Sequence, residues 1–328
     1  MSPSDVDTRL RPGSVQRVAV LGGGLIGGSW TALFLAAGKS VTVFDPEPGT
    51  QARVRATVDD AWPVLQSLGL ARTERPEAEP AVCVSAAAAV EDAQFVQESI
   101  PERLQMKHEL YAEIEPAIAP DAVVASSASG LTLSELQGGW RNPDRLVLGH
   151  PFNPPHLIPL VEVMGNERTA PGVVAAARRF YESVGKVTIE VRREVPGHVA
   201  NRLQAALWRE AINLVLEGVA TVEDVDTAVA AGPGLRWAAM GPTMLFHLGA
   251  GDGGIAAFCE RYGDSFNRWW ADLGRPTLDA DTARLLAGGF AGVDSPAAIH
   301  ELAARRDTLI AGFVSAKNAA AGEMSGRH

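Results

Sequence analysis

The chain has 328 residues, 46% of them hydrophobic and 21% charged, which is the balance of a globular protein with material for two ordinary domains. Its formal charge of −10 opposes nucleic-acid binding, which needs a basic excess; Arg192–Arg193 and Arg305–Arg306 are too short to supply one and read as solvated faces. No apolar run approaches the roughly 18 residues of a membrane span, and the two cysteines, Cys83 and Cys259, match no metal or redox spacing and read as buried thiols in a reducing cytoplasm.

The first residues, MSPSDVDTRLRPGS, carry no secretory signal and are expected to form a flexible tail over 1–14. Residues 17–21 (RVAVL) are a short apolar run ending at glycines, as in a buried strand. A helix is expected from Leu25 to Ala37, closed by Gly38, and a second strand over 40–44 (SVTVF). Strand, helix and strand in this order form a βαβ unit, whose crossover makes the strands parallel. Further strands are expected at 94–97, 122–125, 145–149, 158–163 and 186–191, with helices at Leu104–Ile118 and from Pro171. The alternation predicts an α/β fold whose N-terminal part is a doubly wound, parallel Rossmann sheet over 15–195. After Pro196-Gly197 the pattern changes: Val199, Leu203, Leu207, Ala211 and Leu214 recur at helical spacing. Residues 196–328 are therefore expected to be all-helical, a substrate and dimerisation domain.

The first strand runs into Gly22-Gly23-Gly24-Leu25-Ile26-Gly27. In a G-x-G-x-x-G, Gly22 permits a tight turn, Gly24 lets a pyrophosphate approach the backbone, and Gly27 lets helix and strand pack closely. The phosphates would meet the N–H groups of Leu25, Ile26 and their neighbours at the helix start. Asp45, ending the second strand, stands where a carboxylate accepts the ribose hydroxyls and repels a 2′-phosphate, so the expected cofactor is NAD. The alternative is a loop carboxylate before Pro46.

His150 follows a predicted strand in Gly149-His150-Pro151-Phe152-Asn153-Pro154-Pro155, and in open parallel sheets ligands bind beyond the carboxyl ends of the strands. Glu162 interrupts the apolar run Leu160-Val161-Glu162-Val163. A carboxylate there needs a partner, and an imidazole would serve while the carboxylate fixed its tautomer. By themselves these residues are more often a core or surface pair than a catalytic dyad. His156, His198 and His247 read as structural or solvated.

The segment GHPFNPPHLIPLVEV resembles the signature of the 3-hydroxyacyl-CoA dehydrogenase superfamily, and the resemblance runs from about Val18 into the C-terminal helices. It implies that His150 takes the proton from a substrate hydroxyl and that Glu162 holds it. It also implies a substrate-contacting Ser129 in Ala125-Ser126-Ser127-Ala128-Ser129-Gly130, an Asn201 contact at the start of the second domain, and Glu102 and Lys107 on the nicotinamide side. Ser127 replaces the asparagine that the family carries two positions before the serine.

The stretch Gly232-Pro233-Gly234-Leu235-Arg236-Trp237 is similar to the λ-crystallin/L-gulonate 3-dehydrogenase and L-carnitine dehydrogenase branches, which use free 3-hydroxy acids. A guanidinium grips a carboxylate bidentately, so Arg236 is the candidate clamp; its alternative is a structural or interface ion pair. A quaternary ammonium would need aromatic faces, and Phe246, Trp237, Trp269 and Trp270 are either such a cage or core and interface. The expected function is NAD-dependent oxidation of L-gulonate or L-carnitine type acids by a cytoplasmic homodimer. The alternatives are a CoA or carrier-protein thioester substrate and a non-enzymatic, crystallin-like dinucleotide-binding protein. No metal is expected.

Overall fold

A computed structural model of the chain describes residues 15–71, 75 and 80–325; the expected tail, 1–14, lies outside the described residues. The chain folds as two compact units, the first ending at Ala200 and the second beginning at Asn201.

The first unit holds an eight-stranded sheet: β1 (Arg17–Leu21), β2 (Ser40–Phe44), β3 (Ala81–Val82), β4 (Phe95–Glu98), β5 (Val123–Ser126), β6 (Leu146–Pro151), β7 (Leu160–Met164) and β8 (Val187–Glu190). Their order is β3-β2-β1-β4-β5-β6-β7-β8. Helices α1 (Leu25–Ala36), α2 (Thr50–Ser67), α3 (Ala86–Val90), α4 (Leu104–Ile114), α5 (Leu133–Gln137) and α6 (Val173–Ser183) connect them.

Both faces of the sheet are buried. Val18 and Val20 enter one core with Val41, Phe95, Val123 and Val147, while Ala19 and Leu21 enter the other with Val96, Val124 and Leu148. This explains why the strands read as continuous apolar runs. Aromatic rings fill the first core: Trp30 stacks on Phe34 at 5.2 Å, and Phe95 lies 4.1 Å from Phe180. Burying rings of this size contributes roughly 1.5–3 kcal/mol each.

One expectation is corrected. The sheet is not parallel throughout, because β7 runs antiparallel to β6. The segment between them, residues 152–159, contains no crossover helix, and a parallel return needs about a dozen residues or more. The chain therefore turns back as a hairpin. α6 then supplies a crossover, and β8 pairs parallel to β7.

The second unit consists of helices: α7 (Ala200–Leu216), α8 (Val222–Ala231), α9 (Pro233–Ala239), α10 (Pro242–Gly249), α11 (Gly254–Asp272), α12 (Ala280–Gly288) and α13 (Pro296–Ser325). Thr221 and Asp279 cap α8 and α12 by accepting the amides of Asp224 and Thr282. Phe246, Phe258 and Phe266 form an aromatic cluster between α10 and α11. Of its described apolar side chains, Ile212 and Val225 alone are buried.

Candidate active site

The glycine turn has the shape that its spacing predicts. Gly22 has φ +99°, and a Cβ there would meet the Ser99 carbonyl oxygen at 2.6 Å. A Cβ on Gly27 would strike the Gly22 carbonyl. At Gly24 the opposite holds: nothing lies within 4 Å, and Leu25 beside it is 67% exposed. The N-terminus of α1 thus opens onto free space, with a backbone that a phosphate can approach closely. Asp45 accepts the Gly23 amide at 2.7 Å and the Glu47 amide at 2.9 Å, fixing its carboxylate beside the turn. These residues fit a dinucleotide.

His150 and Glu162 are direct cross-strand partners in the antiparallel register of β6 and β7, so their side chains emerge on the same face of the sheet. The reversal that the sequence did not disclose is what joins them. The His150 Nδ1 lies 2.8 Å from Glu162 Oε2, while Glu162 Oε1 accepts the amides of Val199 and Ala200 at 2.9 and 3.0 Å. Burial pushes the Glu162 carboxyl up, but the His150 ring and the two amides outweigh it and hold the group below the usual carboxylate range. An ionised Glu162 accepts a hydrogen bond from Nδ1–H, which leaves Nε2 with its lone pair free for a proton from outside.

Ser129 is half-buried and tied to Glu102. Its hydroxyl donates to Glu102 Oε2 at 2.8 Å, and Glu102 Oε1 accepts the amides of Ser129, Gly130 and Leu131. Burial raises the Glu102 carboxyl, yet these donors together pull it below its ordinary range. With its proton directed to Glu102, Ser129 presents lone pairs elsewhere.

Lys107 is wholly buried in an ion pair with Glu98 at 2.5 Å and also donates to the Ile100 carbonyl. Glu98 further accepts Tyr111, Ser126 and the Ile100 amide. Lys107 therefore holds the end of β4, with its ammonium already enclosed. Ser127, in the place of the family's asparagine, bonds Ser99 and Gln97, and Tyr181 donates to Gln97 at 2.6 Å. This buried polar chain beneath Gly22 and Gly149 was not read from the sequence.

The other histidines divide. His156 bonds Ser29 through Nδ1, tying the 152–159 segment to α1, and His247 accepts the Ile255 amide at the start of α11. His198 differs: it is buried against the His150 ring, 5.2 Å between centroids, and neither of its nitrogens has a partner among the described residues. In the second unit, Asn201 is the half-buried second residue of α7. Arg236 is exposed on α9 and forms no ion pair among the described residues.

Residues 17–195 match the 3-hydroxyacyl-CoA dehydrogenase NAD-binding domain, and residues 197–278 match the C-terminal domain of the same family. L-carnitine dehydrogenase of Streptomyces coelicolor is 48% identical over 296 residues, covering 90% of this chain and 93% of that protein. The L-carnitine dehydrogenase of Pseudomonas aeruginosa is 43% identical, covering 92% and 94%. Among solved structures, 5-formyl-3-hydroxy-2-methylpyridine 4-carboxylic acid 5-dehydrogenase, described as an NAD+-dependent dismutase, superposes with a TM-score of 0.79 at 31% identity, covering 91% of this chain and 97% of that one. The 3-hydroxybutyryl-CoA dehydrogenase of Escherichia coli gives 0.60 at 26% identity, covering 84% and 57%. With a glycine turn shaped for a dinucleotide, a buried His–Glu pair at the carboxyl end of β6, and matches across both units, the chain belongs to the 3-hydroxyacyl-CoA dehydrogenase family and is an NAD-dependent oxidoreductase.

Proposed function

We propose that this enzyme oxidises the 3-hydroxyl of a free 3-hydroxy acid of the L-carnitine type to the 3-keto acid. The observation that carries the chemistry is the His150–Glu162 pair at 2.8 Å; the free-acid substrate rests on the carnitine dehydrogenases above, each more than 40% identical. NAD, held on Gly22, Gly24, Leu25, Ile26, Gly27 and Asp45, supplies the hydride acceptor for C3. His150 Nε2 takes the hydroxyl proton, and Glu162 stabilises the imidazolium that results. Asn201 donates to the C3 oxygen, and Ser129 does so once substrate turns its hydroxyl away from Glu102. Glu102 acts by fixing Ser129, and Lys107 by holding Glu98 and the end of β4, on the cofactor side.

Arg236 is assigned as the carboxylate clamp, since an exposed guanidinium without an ion pair is available for a bidentate grip. Its removal should raise KM for the acid about tenfold or more while NAD binding is kept. The test is NADH formation from L-carnitine, L-gulonate, L-3-hydroxybutyrate and 3-hydroxybutyryl-CoA, with the unaltered chain and with Arg236→Ala. Turnover of a free acid that weakens in Arg236→Ala supports the reading. Turnover of the thioester alone overturns it.

We also assign the enzyme as a homodimer in the cytoplasm. The exposed apolar side chains of the helical unit support the first, because large exposed apolar patches mark interaction sites and twofold dimers are the commonest assembly. Two free cysteines support the second, although neither is buried as expected: Cys83 is half-buried and Cys259 is exposed. No helix among the described residues is long and apolar enough to cross a membrane.

A further inference from the structure

His198 stands two residues before α7 and is 3% exposed, yet neither ring nitrogen has a hydrogen-bond partner among the described residues. Three indole nitrogens, those of Trp30, Trp62 and Trp140, share that condition, but their rings belong to the two hydrophobic cores. The His198 ring instead lies against the catalytic imidazole, 5.2 Å from it and tilted by 56°. The Ala128 carbonyl approaches the ring from the Ser129 loop without completing a hydrogen bond.

The backbone is unusual as well. His198 has φ 49°, and among the described residues no other non-glycine has a positive φ. Such a conformation persists where the surroundings enforce it, and it concentrates at functional sites. A buried imidazole with two unmet hydrogen-bonding atoms is unfavourable in a closed protein. Both features are accounted for if a ligand completes the hydrogen bond.

Burial, and then the neighbouring His150, hold His198 below the usual imidazole range against the opposing pull of Ala128, Glu162 and Glu102. At neutral pH the ring is therefore uncharged, with one N–H to donate, and does not compete with His150 for the substrate proton. Glu162 and Glu102 are already occupied by backbone amides and the Ala128 carbonyl stops short of a hydrogen bond, so a substrate acceptor would complete what that N–H lacks. A 3-hydroxy acid has two polar ends. The hydroxyl is engaged by His150, which leaves the carboxylate, an acceptor-only group with several lone pairs.

We propose that His198 is a second substrate-contacting imidazole, donating its ring N–H to the carboxylate of the hydroxy acid while His150 takes the C3 proton. This contact rests on the free-acid reading above and is separate from the Arg236 clamp. It assigns a specificity role to a residue that sequence alone placed among the structural or solvated histidines.

The test uses two variants of the whole enzyme. His198→Phe keeps a flat ring and removes both nitrogens; His198→Asn tolerates the left-handed backbone and keeps a side-chain donor. KM and kcat for the free acid are measured beside NAD affinity and Tm. His198→Phe should raise KM for the acid about tenfold or more with NAD Kd within about twofold. Its Tm should not fall, since unsatisfied nitrogens leave the interior. His198→Asn should recover part of the KM loss. A KM within about twofold of the unaltered enzyme in both variants overturns the contact, whether or not Tm drops. So does a loss of NAD affinity that accounts for the whole effect. If the unaltered enzyme oxidises no free acid at all, the substrate reading fails and the carboxylate contact fails with it; if it does and KM stays fixed in the variants, the contact alone fails.

Discussion

In the first unit Trp30, Phe34, Phe95 and Tyr181 are each wholly enclosed, whereas in the second Trp208, Trp269 and Trp270 are 51%, 57% and 64% exposed. The first unit covers its apolar residues with its own chain, helices lying on both faces of a buried sheet. Within that frame it can hold costly groups: the ionisable side chains of Glu98, Glu162 and Lys107 are wholly buried and each is satisfied by several partners. The second unit leaves many apolar side chains exposed, Leu203, Leu207, Trp208 and Leu216 of α7 among them. A unit that positions chemistry must close its own core; the proposed dimer would cover what the second unit leaves exposed.

The largest effect should come from the enclosed core. Phe34→Ala removes a ring stacked on Trp30 and should destabilise the first unit by about 3–5 kcal/mol, read by denaturant unfolding. Trp270→Ala, by contrast, should lie within about 0.5 kcal/mol in dilute, dissociated chain. At high concentration it should lower Tm by weakening association. Equal losses in both variants at every concentration would erase the distinction between the units.

The next effect concerns the dyad. Glu162 titrates lower in the folded chain than in the unfolded one, so its stabilising contribution is present above the ordinary carboxylate range. It is lost as pH falls through the folded value. Glu162→Gln should cost about 1–3 kcal/mol at neutral pH, because the amides of Val199 and Ala200 lose an ionised acceptor. The gap between the two proteins should narrow in acid. A constant gap from neutral pH down to about 3 would refute the assigned ionisation.

A separate, pH-dependent effect belongs to Lys186. Its ammonium donates to the carbonyls of Pro155 and Ile158 and lies 5.2 Å over the Trp30 ring, with no ion-pair partner among the described residues, and burial lowers its pKa to about 7. Between about 7 and the unfolded value near 10.4 the unfolded chain binds more protons. Stability should therefore rise with pH across that window and level off below it. Lys186→Met should flatten the rise, as followed by urea midpoints at several pH values; an unchanged slope would show that another group carries it.

Much of this was legible because its constraints are local. The turn at Gly22–Gly27 and the carboxylate of Asp45 follow from residues adjacent in the chain, and the strands β1, β2, β4 and β5 fall within one or two residues of their apolar runs. The β6–β7 reversal was harder, because residues 158–163 look the same as a parallel or an antiparallel strand; the missing evidence was the absence of a helix between 152 and 159. Lys107 was read as a cofactor contact from the family resemblance, and its burial on Glu98 depends on how α4 packs on β4. His198 was passed over for a different reason. A left-handed histidine with no partner has no sequence signature, since its distinction is what surrounds it.

The most direct test of the account is His150→Gln, with kcat measured for the free acid and NAD affinity measured on the same preparation. If His150 Nε2 takes the hydroxyl proton, turnover should fall by about 10²–10⁴-fold while NAD Kd and Tm stay close to those of the unaltered enzyme. Turnover retained within about tenfold, with the fold intact, would contradict the dyad as the general base.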